Sequence, residues 1–145
     1  MRIPFFKAGI LTCLTISLFY GHASAASADL SAKCGKITPN VNPSFQQINC
    51  LLTNAAINAD IPPEVVKAVA TQENEKWEQF DAAGKAIESP DGGIGLMQLT
   101  NQKVYDQDKL RSDIVYNIES GVNVLNHKYS LQDLPKINGA GRQVI

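Results

Sequence analysis

Apolar positions recur at helical spacing in three stretches of the chain. Phe45, Ile48, Leu51, Leu52 and Ala55 share one face of a predicted helix that starts at Pro43-Ser44 and ends near Asn58. Val66, Val69 and Ala70 form the stripe of a second helix, opened by Asp60-Ile61-Pro62-Pro63-Glu64. There Asp60 suits a cap, the prolines suit the first turn, and Glu64 complements the N-terminal dipole. This helix is expected to run to Glu73 or Asn74. Ile114, Ile118, Val122, Leu125 and Tyr129 line a third, beginning at Ser112 or Asp113. Gly121 lies inside it at a cost of about 1 kcal/mol relative to alanine, and close packing against a neighbour is the expected reason. A short helix is predicted over 101–107.

The pattern changes between the second and third helices. Residues 77–80 and 85–88 read as short strands, with Asp81-Ala82-Ala83-Gly84 as a hairpin turn. Ser89-Pro90-Asp91-Gly92-Gly93 is a loop, and 94–99 is a tight apolar segment flanked by glycine. Residues 26–42, with Gly35 and Pro39, read as an irregular lead-in. After Leu131 the chain turns polar and glycine-rich. The expected fold is mainly α with a small β-hairpin.

The longest apolar run is at the N-terminus. Arg2 and Lys7 precede a mostly apolar stretch over 8–20, and Ala23-Ser24-Ala25 follows. A charged start, a short apolar centre and a small-x-small end describe a secretory signal peptide over 1–25. The run is short for a membrane-spanning helix, which needs about 20 residues, although an uncleaved anchor is the alternative. Ala26-Ser27-Ala28 offers a second cleavage site. Cys13 follows Thr12, a poor fit to a lipoprotein box, so no lipid anchor is expected. The secreted or cell-envelope chain then comprises the lead-in over 26–42 and one domain over 43–145.

Two cysteines survive cleavage, Cys34 and Cys50. An even pair in an exported chain favours a disulfide over two free thiols. No CxxC or HExxH occurs, and His127 is the single histidine left after His22 is removed, so no metal site is expected. The formal net charge of −1 argues against nucleic acid as a partner.

One acid is out of place. At about 100° per residue, Glu73 falls about 20° from Val66 and about 40° from Val69, so its carboxylate points where the second helix should meet the core. Glu75 points the opposite way. A carboxyl group on an apolar face at a helix C-terminus has its charged form disfavoured, which suits a general acid. The alternative is a last turn rotated outward. Glu75, Glu78, Asp81, Glu88 and Asp91 supply no second residue so placed, so a two-carboxylate glycosidase is not visible in the spacing.

Residues 61–129 resemble the soluble lytic transglycosylase domain, a lysozyme-like family that cleaves peptidoglycan. Ile61-Pro62-Pro63-Glu64-Val65-Val66-Lys67-Ala68-Val69-Ala70 is similar to the start of the family's catalytic helix. Gln72-Glu73 matches the place of its catalytic glutamate, and Gly93-Ile94-Gly95-Leu96-Met97-Gln98 its Gly-Leu-Met-Gln motif. Asn117-Ile118-Glu119-Ser120-Gly121, followed by Leu125, resembles its Asn-Ile-x-x-Gly helix. The resemblance implies an α+β lysozyme-like fold and cleavage of the β-1,4 bond between N-acetylmuramic acid and N-acetylglucosamine. Glu73 would serve as acid and then base, the sugar's acetamido oxygen would stabilise the muramoyl C1, and a 1,6-anhydro end would form without water. It further implies that Gln98 bonds the sugar or orients Glu73, that Met97 lines the cleft, and that Gly93 and Gly95 let the backbone approach the glycan. No cofactor is implied, and the partner is the peptidoglycan glycan strand. Tyr105, Tyr116, Tyr129 and Trp77 are candidates for sugar stacking or for core packing.

The chain departs from the family pattern at three places. Asn74 stands where serine usually follows the glutamate, and is expected to hydrogen-bond locally or to substrate. The interval from Glu73 to Gln98 is longer than in many members, and the 77–88 hairpin accounts for it. The family's Ala-Tyr-Asn-like motif, which faces the glutamate from a later helix, has no counterpart after Tyr129, so the C-terminal part of the domain is expected to be truncated. The alternatives are a lysozyme-like muramidase using water, and a truncated, non-catalytic peptidoglycan-binding module.

Overall fold

The computed structural model describes residues 23–130. In chain order its helices are α1 (Ala23–Cys34), α2 (Phe45–Asn58), α3 (Pro63–Glu73), α4 (Gln107–Ser112) and α5 (Ile114–Ser130). Helix α1 packs on α2 and α5, α2 on α3 and α5, and α4 on α5. The signal-peptide reading falls outside the described residues except for 23–25, which belong to α1. Cys13, His22 and the truncation read beyond Leu131 also lie outside them.

The α-rich expectation holds, and α2 and α5 start where the sequence places them, each on a side-chain cap. At α2, Ser44 Oγ accepts from the Gln47 N–H and the Gln47 side-chain oxygen accepts from the Ser44 N–H, both at 3.2 Å, a reciprocal capping box. At α5, Asp113 Oδ1 accepts from the N–H groups of Val115 and Tyr116 at 2.9 and 3.1 Å. At α3 the expected cap fails. Asp60 sits in the α2–α3 turn at φ 56°, and Pro62 takes the N-cap place with no side-chain bond.

The lead-in expected to be irregular over 26–42 is helical up to Cys34. Its alanines favour helix, Asp29 and Lys33 pair at 2.8 Å four residues apart, and Leu30 and Cys34 bury a short stripe. Gly35, at φ 86°, ends the helix in the left-handed conformation. Cys34 and Cys50 form a disulfide across 16 positions, with Cα atoms 5.6 Å apart, which ties the end of α1 to α2. Closing a loop of that size stabilises by about 3 kcal/mol in the chain-entropy model, and the bond fits an oxidising compartment. No helix of the described residues is long and apolar enough to cross a membrane.

The helix expected over 101–107 is displaced. Asn101, at φ 57°, turns the chain, and Asp106 caps α4 by accepting from the N–H groups of Asp108 and Lys109 at 3.0 and 3.1 Å. The hairpin is reduced to two isolated antiparallel bridges among the described residues, Phe80 with Ala86 and Glu88 with Ile94. The turn forms where expected: Asp81 Oδ1 accepts from Ala83 and Lys85, and Gly84 adopts φ 74°. The ladder does not extend for two reasons. Trp77 leaves the β region at φ 55°. The Asn42 side chain occupies the pairing groups, its Oδ1 accepting from Gln79 and Phe80 N–H at 2.8 and 2.9 Å and its Nδ2 donating to Phe80 O at 2.7 Å.

The core gathers Leu30, Leu51, Leu52, Val66, Leu96, Leu110, Ile114 and Ile118 from all five helices and from the 94–99 turn. Full burial of each aliphatic side chain contributes about 1.5–3 kcal/mol.

Candidate functional site

Glu73 is the last residue of α3, and its side chain is exposed. The expected burial is therefore corrected. Helix α3 buries only Val66 and Ala70, and Thr71, Gln72 and Glu73 are all exposed at its end. Among the described residues no hydrogen bond or ion pair reaches the Glu73 carboxylate. It stands open to solvent at the start of the loop that leads to the glycine-rich turn.

Asn74 closes that helix end. Its N–H donates to Ala70 O at 2.9 Å, its Nδ2 donates to Glu78 O at 2.6 Å, and its Oδ1 accepts from the Glu78 N–H at 3.3 Å. The amide is spent on the backbone, in line with the local bonding expected of it. Trp77 is buried, and its Nε1–H donates to Thr71 Oγ1 at 3.0 Å.

Behind the loop lies a buried polar junction. Gln79 and Asn117 are both 0% exposed. Gln79 Oε1 accepts from the Leu96 N–H at 2.9 Å, and its Nε2 donates to Leu110 O at 2.8 Å. Asn117 Oδ1 accepts from the Met97 N–H at 2.9 Å, and its Nδ2 donates to Ile94 O at 2.9 Å and Leu110 O at 3.2 Å. Two side chains thus satisfy the Leu96 and Met97 N–H groups of the 94–97 turn, while its Gly95 N–H donates to Ile87 O at 2.8 Å. Gln79 has no local signature in the sequence. Its partners lie 17 and 31 positions away.

The glycines of the turn serve this junction. A Cβ on Gly95, which has φ 70°, would lie 2.3 Å from Gln79 Oε1 and 2.5 Å from Asn117 Nδ2. A Cβ on Gly93 would lie 2.7 Å from both Gln98 Oε1 and Ser89 Oγ. Both backbones are approached closely, but by the protein's own amides. Gln98, half-buried at φ 44°, donates from Nε2 to Gly95 O at 2.6 Å. In the adjoining loop the Ser89 hydroxyl donates to Asp91, which holds the Asp91 carboxyl below its ordinary range.

Met97, expected to line the cleft, belongs to the hydrophobic core. It is 4% exposed, and its Cβ and Cγ would lie 2.7 Å from a Cβ on Gly121. The close packing expected at Gly121 is thereby found, and Met97 is its partner. Gly121→Ala sets a helix-propensity gain of about 1 kcal/mol against overpacking of about 1–3 kcal/mol. Because the Met97 Cβ moves only with its backbone, the clash should win. Urea denaturation should show a net loss of about 1 kcal/mol or more, and Met97→Ala, which removes the crowded Cγ and Cε, should cost less in that chain than in the parent.

The tyrosines lie elsewhere. Tyr105 and Tyr116 pack edge to face with centroids 6.4 Å apart, and burial, then Tyr116, raises the Tyr105 hydroxyl above its ordinary range. They line a cleft of about 500 Å³ with Leu30, Asn58, Glu119 and Asn126. Glu73, Gly93, Gly95, Met97 and Gln98 take no part in its lining. Tyr129 is half-buried on α5.

Comparison of the chain with protein-family models, with curated proteins and with solved structures finds no match.

Proposed function

We propose that the protein is a peptidoglycan lytic transglycosylase, exported by its N-terminal segment, with Glu73 as its acid and base. The observation that carries this reading is the interlocking of two of the resembling motifs. The Gly-Leu-Met-Gln turn is seated on the Asn-Ile-x-x-Gly helix through Met97 N–H on Asn117 Oδ1 and through the Met97 side chain against Gly121. The finer fold reading is lysozyme-like, with the doubled-back 77–94 segment in the place of the small β-lobe.

In this reading Glu73 donates its proton to the leaving glycosidic oxygen as the C1–O bond breaks. The acetamido oxygen of the muramoyl residue supports the charge at C1, so no second carboxylate is needed. The C6 hydroxyl then attacks C1 and gives its proton to ionised Glu73, which restores the acid and closes a 1,6-anhydro ring. Exposure of Glu73 leaves it within reach of a polymer. Gln98 braces the glycine-rich turn through its bond to Gly95 O.

The test is the mass of the products from purified sacculi. Anhydro-muropeptides, each one water lighter than the hydrolysis product, are expected. Reducing ends would assign a muramidase instead, and binding to sacculi without products would assign a non-catalytic module.

A further inference from the structure

Phe45 is exposed although it shares the apolar register of α2. It is the first residue of α2, where Ser44 and Gln47 do the capping, and the residue is 62% exposed. The ring lies nearly parallel to that of Trp77, 9° between planes and 4.8 Å between centroids. Trp77 beneath it is 7% exposed and is fixed by its bond to Thr71, two residues before Glu73. Helices α2 and α3 pack together across a short turn, so the start of α2 lies level with the end of α3. Trp77 also adopts φ 55°, a conformation that bulky residues avoid and that accumulates at functional positions.

We infer that the outer face of Phe45, backed by Trp77, is a stacking platform for a sugar ring of the glycan strand that reaches Glu73. This rests on the function proposed above and adds a substrate contact to it. A pyranose offers an apolar C–H face with polar groups around its rim. It matches a flat neutral ring beside the exposed polar side chains of Glu73, Glu75 and Lys76. A nucleobase would stack equally well, but its phosphates would meet Glu73, Glu75 and Glu78 and a chain of net charge −1.

Trp77 is the single tryptophan of the chain, so its emission reports on the platform directly. The probe is soluble glycan strand released from amidase-treated sacculi, titrated into the intact protein. Phe45→Ala should weaken binding about tenfold, Phe45→Tyr should bind within about twofold of the parent, and Glu73→Gln should bind like the parent. Circular dichroism checks that each variant folds. Equal affinity in Phe45→Ala, or no binding by the parent, overturns the platform. Phe45-dependent binding without any cleavage would remove the transglycosylase reading and keep the platform. Cleavage lost in Glu73→Gln but with unchanged KM and affinity in Phe45→Ala would do the reverse.

Discussion

Glu73→Gln is expected to lower the release of anhydro-muropeptides from sacculi by about 10²–10⁴-fold, the contribution of a positioned general acid and base. Glutamine keeps the shape and the hydrogen-bonding oxygen but carries no transferable proton. The fold should not register the change. Glu73 is exposed and has no partner among the described residues, so its replacement should alter unfolding free energy by no more than about 0.5 kcal/mol. Activity and stability are therefore separable at this position. Undiminished release by a folded Glu73→Gln chain would remove Glu73 from the mechanism.

Asn117→Ala should have the largest effect on stability. The substitution leaves the Met97 N–H without its acceptor and the Ile94 carbonyl without its Asn117 donor, both inside the protein. It also withdraws one of the two amide donors to Leu110 O, and Gln79 retains the other. Ile94 O keeps the Leu99 N–H at 3.2 Å, so the Met97 N–H is the one group left unpaired; that costs about 1–3 kcal/mol against a total of about 5–15 kcal/mol for a domain. Asn117→Asp should be no better, because its second oxygen would face two carbonyls where an amide now donates. Chemical denaturation measures the loss. A change below about 1 kcal/mol would mean that water replaces the amide and that the junction is not closed to solvent.

Much of the helical architecture was legible because it is local. The stripes of α2 and α5, the Ser44 capping box and the Asp113 cap depend on residues within one or two turns of each other. Helix α1 was missed because its burial rests on only Leu30 and Cys34, a stripe too short to show a period. The Asp81–Gly84 turn was visible in its turn residues. The loss of the ladder was not, because the competing group, Asn42, lies 37 positions from Gln79. For the candidate site, a helical wheel states which way Glu73 points but not whether anything stands there. Phe45 shows the same limit from the other side, since it shares the apolar register of α2 and is nevertheless exposed. Gln79 was invisible because a buried amide is defined by distant carbonyls and N–H groups, not by its neighbours in sequence.

The 94–97 turn has a kinetic consequence. The amides of Leu96 and Met97 belong to neither helix nor strand, yet each donates to a side chain rooted in another part of the chain. Their hydrogens exchange with solvent only when Gln79 or Asn117 lets go. Opening of this turn is therefore coupled to loosening of the 77–80 segment and of α5, and is not an independent loop fluctuation. This irregular segment, buried throughout, is in this respect expected to open as slowly as the core around it. Any molecule arriving at Gln98 would meet a contour already set.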